Sequence, residues 1–181
     1  MKRILTAVLG LSAALSTIGL LSAQPLSGRR APSFSLPDSK LKQHDILDYR
    51  GKWLVIDFMS TTCPHCKEVT KKLEQFKSTH PGVGILSIVL PPENTATVGR
   101  YLIEMKMTTP ILFDGSQVAQ SYFPYLSPQR PSLDMPHVFA INPQGNIVKD
   151  WPPRAAEAPG FVVELAQLIT GTGAGGDKKK K

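Results

Sequence analysis

The chain has 181 residues and a formal charge of +7, but that charge sits at its ends. Lys2 and Arg3 open it and four lysines close it, while from Gln24 to Gly176 there are 15 basic and 13 acidic residues, so the central part is only +2. A part so close to neutral lacks the basic face that a nucleic-acid partner requires.

The first element is a leader. Two basic residues precede an apolar run from Ile4 to Leu21, and Leu21-Ser22-Ala23 supplies small residues before Gln24. This is the layout of a secretory signal, and residues 1–23 are read as one, with export to the periplasm as the expected destination. The alternative is a retained anchor over residues 4–21, the only route by which a membrane enters. Removing residues 1–23 leaves 158, which suits a single domain over 24–170. Residues 171–181, GTGAGGDKKKK, are read as a disordered Gly/Lys-rich tail.

Within the domain, Ser33-Phe34-Ser35-Leu36 alternates as a short strand. Pro37-Asp38-Ser39 reads as a turn, and His44 to Leu47 as a second short strand pairing back. Trp53 to Met59 is nearly all apolar and follows Gly51, the pattern of a strand buried on both faces. A helix begins at Pro64, which suits a first turn, and Val69, Leu73 and Phe76 line one face before Pro81 stops it. Val83 to Leu90 reads as another buried strand, Thr95 to Met105 as a helix, Pro110 to Phe113 as a strand, and Gln117 to Tyr122 as a short helix. Pro124 to Asp134 has no period and reads as a loop. Pro136 to Ile141, a turn over 142–146 and Ile147 to Lys149 form a hairpin. A last helix presents Phe161, Val162, Leu165, Leu168 and Ile169, with Gly171 as its stop. Strands alternating with helices, then a hairpin and a helix, give an α/β domain with a central mixed sheet flanked by helices and an N-terminal short hairpin extension.

Both cysteines lie in Thr61-Thr62-Cys63-Pro64-His65-Cys66. Such a pair can clamp a metal, brace a fold or exchange electrons. A brace gains most by closing a long loop, and this pair closes almost none. A structural zinc site needs about four ligands, and none lie nearby in sequence. Electron exchange fits the position. Cys63 falls where a buried strand turns into a helix, facing free N–H groups and the positive dipole end, both of which favour a thiolate. Cys66, one turn in, can attack a mixed disulfide formed at Cys63. His65 lies between them and as an imidazolium would stabilise the Cys63 thiolate. His44 and His80 are expected at the surface, and His137 is a lesser candidate for the site.

GKWLVIDFMSTTCPHC resembles the core of the thioredoxin superfamily. APSFSLPD and DYRGK resemble its exported TlpA/ResA-like branch, which overlaps the redoxin group, and MPHVFAINPQGNIV resembles the family's cis-proline strand and hairpin. The resemblance runs from about Ala31 to Ile169 and implies a thioredoxin-like fold and an exported thiol–disulfide oxidoreductase with a redox-active Cys63–Cys66 disulfide and no cofactor. Its implied partners are client proteins with thiols or disulfides and an upstream membrane or periplasmic electron partner. It also implies that Asp57, six residues before Cys63, exchanges a proton with Cys66, and that a cis Met135–Pro136 bond presents the Met135 backbone to a client. Pro64 and His65 match the dipeptide of the oxidant DsbA and are expected to draw the pair toward the oxidising end. The frame around Arg50-Gly51-Lys52 and Asp57 resembles reductases instead. The chain departs from the family in lacking its W-A-x-W approach to the first cysteine, where Met59-Ser60-Thr61-Thr62 stands. Two other functions stay open. Ser60-x-x-Cys63 resembles the T-x-x-C of peroxiredoxin-like peroxidases, although their proline is Ile56 here. Cys63 and Cys66 with His137 would make a soft copper-carrier site.

Overall fold

The computed structural model describes residues 26–127 and 132–171. Residues 1–23, read above as a leader, and nearly all of 171–181, read as a tail, lie outside them, as do four residues of the 124–134 loop.

The fold grows from β3 (Leu54–Phe58), whose five residues are all buried. Burying its apolar side chains, Leu54, Val55, Ile56 and Phe58, is worth about 1.5–3 kcal/mol each. β3 pairs in parallel with β4 (Gly84–Val89), and β4 in parallel with β5 (Ile111–Phe113). On its other side β3 pairs antiparallel with β6 (His137–Ile141), which pairs antiparallel with β7 (Ile147–Trp151). The five-stranded mixed sheet therefore runs β5-β4-β3-β6-β7. A separate antiparallel hairpin joins β1 (Ser35–Pro37) to β2 (Gln43–Asp45).

Strand alternation sorts the core into layers. Ile56, Phe58 and Phe139 face the hairpin and α3 (Gln117–Tyr122), where Tyr122 and Phe123 complete an aromatic cluster with ring centroids 5.1–6.0 Å apart around Phe58. Val55 and Val138 face α1 (Pro64–Thr79) and α5 (Phe161–Thr170), packed with Val69, Leu73, Phe76, Phe161 and Leu165. A third cluster, Met59, Cys66, Val89, Val98, Tyr101 and Ile111, lies under α2 (Thr95–Glu104). The thioredoxin-like architecture read from the sequence is the one observed.

Two elements differ from expectation. Past Asp45 the second strand becomes a 3₁₀ turn over Ile46–Tyr49, because the Asp45 side chain accepts the Leu47 N–H at 2.8 Å. After β7 a short helix, α4 (Pro153–Glu157), stands where no element was read. Pro152-Pro153 reads as a breaker, but a proline is well suited to a first helical turn, where its missing N–H leaves nothing unpaired. The last helix ends as expected, with Gly171 left-handed at φ 71°.

N-terminal contacts tie this scaffold at two places. Asp38 bridges to Leu112 on β5, and Arg30 bridges to Asn146 at the start of β7.

Candidate active site

β3 delivers the chain to the start of α1, and Cys63 is the N-cap of that helix. Its extended backbone, φ −82° and ψ 118°, lets its sulfur accept the Cys66 N–H at 3.3 Å. Pro64 follows at the first helical position, where no N–H is needed. The Cys63 sulfur is therefore aimed at the positive end of α1 while remaining partly exposed, and Cys66 is fully buried. Burial pushes the Cys66 thiol well above its ordinary range, helped by its hydrogen bond with Cys63 and by the charge of Asp57. The two sulfurs thus differ in access and in proton affinity.

Asp57 sits on β3 between Val55 and Met59 and shares their face, the one that α1 covers. It is fully buried, and neither carboxylate oxygen has a hydrogen-bond partner among the described residues. Desolvation alone raises its pKa from 3.8 to about 7. The nearby Tyr101 hydroxyl is turned to Thr70, 2.9 Å away, so it does not satisfy the acid.

The Met135–Pro136 bond is cis, and the Met135 carbonyl oxygen lies 3.9 Å from the Cys63 sulfur. Beside it runs a groove of about 580 Å³ between Leu133-Asp134-Met135 and Pro152-Pro153-Arg154. The structure therefore brings Asp57, Cys63, Pro64, Cys66, Met135 and Pro136 into one neighbourhood. His65 belongs to it through the backbone, but its ring turns outward and meets Glu157 of α4 at 2.7 Å.

Of the other histidines, His44 corrects the sequence reading. His44 is buried, not at the surface, because Asp38 reaches it at 3.1 Å across the hairpin. His80 stacks on Phe76, 4.1 Å between centroids, at the end of α1. His137 is buried against Phe123 and Phe139 and bonded to Asp150 at 2.8 Å, on the opposite sheet face from Asp57.

Sequence reasoning missed Glu93. Its carboxylate accepts from Ser60 Oγ at 2.9 Å, the Thr61 N–H at 2.8 Å, Thr61 Oγ1 at 2.7 Å and Thr97 Oγ1 at 2.6 Å. Burial opposes its charge, yet these bonds prevail and hold it below the usual carboxylate range. In place of a W-A-x-W approach, the chain fixes the segment before Cys63 with one carboxylate and a set of hydroxyls. Nothing local signals this, since Glu93 lies 33 residues from Ser60.

Strand, N-cap cysteine, buried partner and cis-proline loop make up a thioredoxin-like fold of the redoxin type. Residues 27–150 match the family described as the AhpC/TSA family, and the chain belongs to it. A curated relative, the thiol–disulfide oxidoreductase ResA of Bacillus subtilis, is 30% identical over 127 residues, covering 67% of this chain and 65% of its own length, just under two thirds. Among solved structures, the thioredoxin domain of a thiol–disulfide oxidoreductase from Bacteroides vulgatus superposes with a TM-score of 0.64 at 17% identity, covering 79% of this chain and 97% of that one. A secreted Mycobacterium tuberculosis disulfide oxidoreductase, described as homologous to DsbE of E. coli, gives 0.61 at 17% identity, covering 76% and 95%. At these identities the structures speak for the fold alone. Among the described residues no helix is long and apolar enough to cross a membrane.

Proposed function

We propose that the protein is an exported thiol–disulfide oxidoreductase that exchanges its Cys63–Cys66 dithiol with disulfides of client proteins. The observation that carries this reading is the asymmetry of the pair. Cys63 is a partly exposed N-cap sulfur, and Cys66 is buried near an acid whose pKa is about 7.

The chemistry follows from that asymmetry. Cys63 loses its proton to water and attacks one sulfur of a client disulfide. A Cys63–client disulfide forms, and the other client sulfur leaves as a thiolate that takes up a proton. The Cys66 thiol then gives its proton to the Asp57 carboxylate and attacks the Cys63 sulfur. The Cys63–Cys66 disulfide forms, and the second client sulfur departs and is protonated. Two electrons have passed to the client, and an upstream membrane or periplasmic thiol donor restores the dithiol. With a pKa near neutrality, Asp57 can take and return that proton around pH 7. The Met135 backbone and the adjoining groove are assigned to the client, which lies against them as an added strand. Export rests on the leader, Lys2 and Arg3 before an apolar run and Ala23.

Two particulars weigh against the other functions. A peroxidase reading needs Ser60 at the Cys63 sulfur, whereas its hydroxyl is engaged with Glu93 and Thr62. A copper reading needs a His137 nitrogen at the cysteine pair, whereas His137 lies on the sheet face opposite Asp57, packed against Phe123 and Phe139.

The test is covalent trapping. Cys66→Ser, mixed with a disulfide-linked peptide, should accumulate that peptide on Cys63, read by mass spectrometry. Cys63→Ser should form an adduct at Cys66 far more slowly. Equal rates for the two variants would overturn the assignment.

A further inference from the structure

The first turn of α1 contains no acidic residue, and its second position carries His65 instead. A helix start favours negative charge and disfavours a cation, so an imidazolium there needs a compensating anion. The fold supplies one from 92 residues away: Glu157 Oε2 lies 2.7 Å from His65 Nδ1. The acid is held in place. It ends α4, whose Ala156 is fully buried in the layer with Val69 and Leu73. Lys72 of α1 donates to the backbone carbonyls of Glu157 and Ala158. α4 is thus fastened to the same helix that presents the cysteines, and its last side chain meets the residue between them.

Resting on the oxidoreductase reading, we propose that Glu157 is a positioning residue that restrains His65 and so keeps the Cys63–Cys66 pair less oxidising than its Pro-His dipeptide would make it. The physical argument is one of charge. A thiolate at Cys63 gains from the positive helix end and from a cation at His65. A carboxylate bonded to that imidazole offsets the cation and draws the ring outward toward α4. Less stabilisation of the thiolate means a less oxidising disulfide, since the dithiol form is what a stabilised thiolate favours. The restraint is modest, because the His65 side chain is 64% exposed and the Glu157 side chain 31%. Solvent-exposed pairs change an equilibrium constant by at most about fivefold.

The experiment is glutathione redox titration of wild type, Glu157→Gln, His65→Pro and the double variant. The Lys72 anchor bonds to backbone carbonyls, so Glu157→Gln keeps α4 docked. Glu157→Gln should shift the equilibrium about threefold toward the dithiol, which is about 15 mV less negative. In the His65→Pro background the same change should have little effect. No shift, a shift toward the disulfide, or an equal shift without His65 overturns the proposal. A wild-type pair that forms no reversible disulfide with glutathione overturns the oxidoreductase reading itself, an outcome distinct from the other three.

Discussion

Replacing Asp57 by Asn removes the charge that the fold accommodates least well. Burial moves this carboxyl from 3.8 to about 7 in the folded protein, whereas in the unfolded chain it keeps the ordinary value. Between those values the folded protein holds a proton that the unfolded chain has released, so this group's contribution to stability falls as pH rises from about 4 to about 7 and is then constant. Each pH unit is worth 1.36 kcal/mol, so the full loss is on the order of 4 kcal/mol. The buried Cys66 thiol titrates above this window and does not interfere. Asparagine resembles the protonated acid in shape and in its unmade hydrogen bonds. Asp57→Asn should therefore match wild type near pH 4 and exceed it increasingly up to about pH 7. At pH 8 the gain should approach 4 kcal/mol, or about 8–16 °C in Tm for a domain of this size. Urea unfolding of both reduced proteins across pH 4–8 measures it, with m values required to agree. A gain independent of pH, or a variant less stable than wild type at pH 8, refutes the reasoning.

Other outcomes follow from the contacts. Glu93→Ala takes an acceptor from three hydroxyls and the Thr61 N–H, leaving Thr97 Oγ1 with the Asn94 carbonyl and Ser60 Oγ with Thr62. It should lower stability by about 1–3 kcal/mol and slow alkylation or exchange at Cys63, whereas Asn94→Ala should affect stability alone through loss of the α2 cap. Gly84 packs beneath Tyr49: a Cβ there would fall 2.4 Å from Tyr49 Cδ1. Gly84→Ala should thus cost about 1–3 kcal/mol by overpacking, and Tyr49→Ala in the same chain should recover most of that clash, as measured by chemical denaturation.

Local pattern carried much of this fold. β3 was legible because both its faces are buried, so its whole run is apolar save Asp57, and that exception marked the acid. α1 was legible because Val69, Leu73 and Phe76 repeat at helical spacing behind Pro64. The cysteine positions followed from the same junction. What stayed hidden depends on distant partners. Glu93 reads as an ordinary loop acid until β4 brings it beside Ser60 and Thr61, and Glu157 until α4 folds against α1. His44 looks like a surface residue because nothing in its own stretch says that Asp38 will turn back to meet it. α4 was lost to a local rule applied in the wrong place: two prolines stop a helix from its interior but start one from its first turn.

The short stretch between Arg30 and Asp38 also changes how the sheet meets its surroundings. A five-stranded sheet has two margins with unpaired backbone groups, and such margins invite another chain to add itself as a strand. Here one margin is β5, reached by Asp38 at Leu112, and the other is β7, reached by Arg30 at Asn146, with Ile147 bonded to Gly28 and Arg29 alongside. A single segment, eight residues from one bridge to the other, thereby occupies positions on both margins. A protein whose proposed work is to receive extended client segments at its cis-proline loop is shielded at those points from receiving them along its flanks.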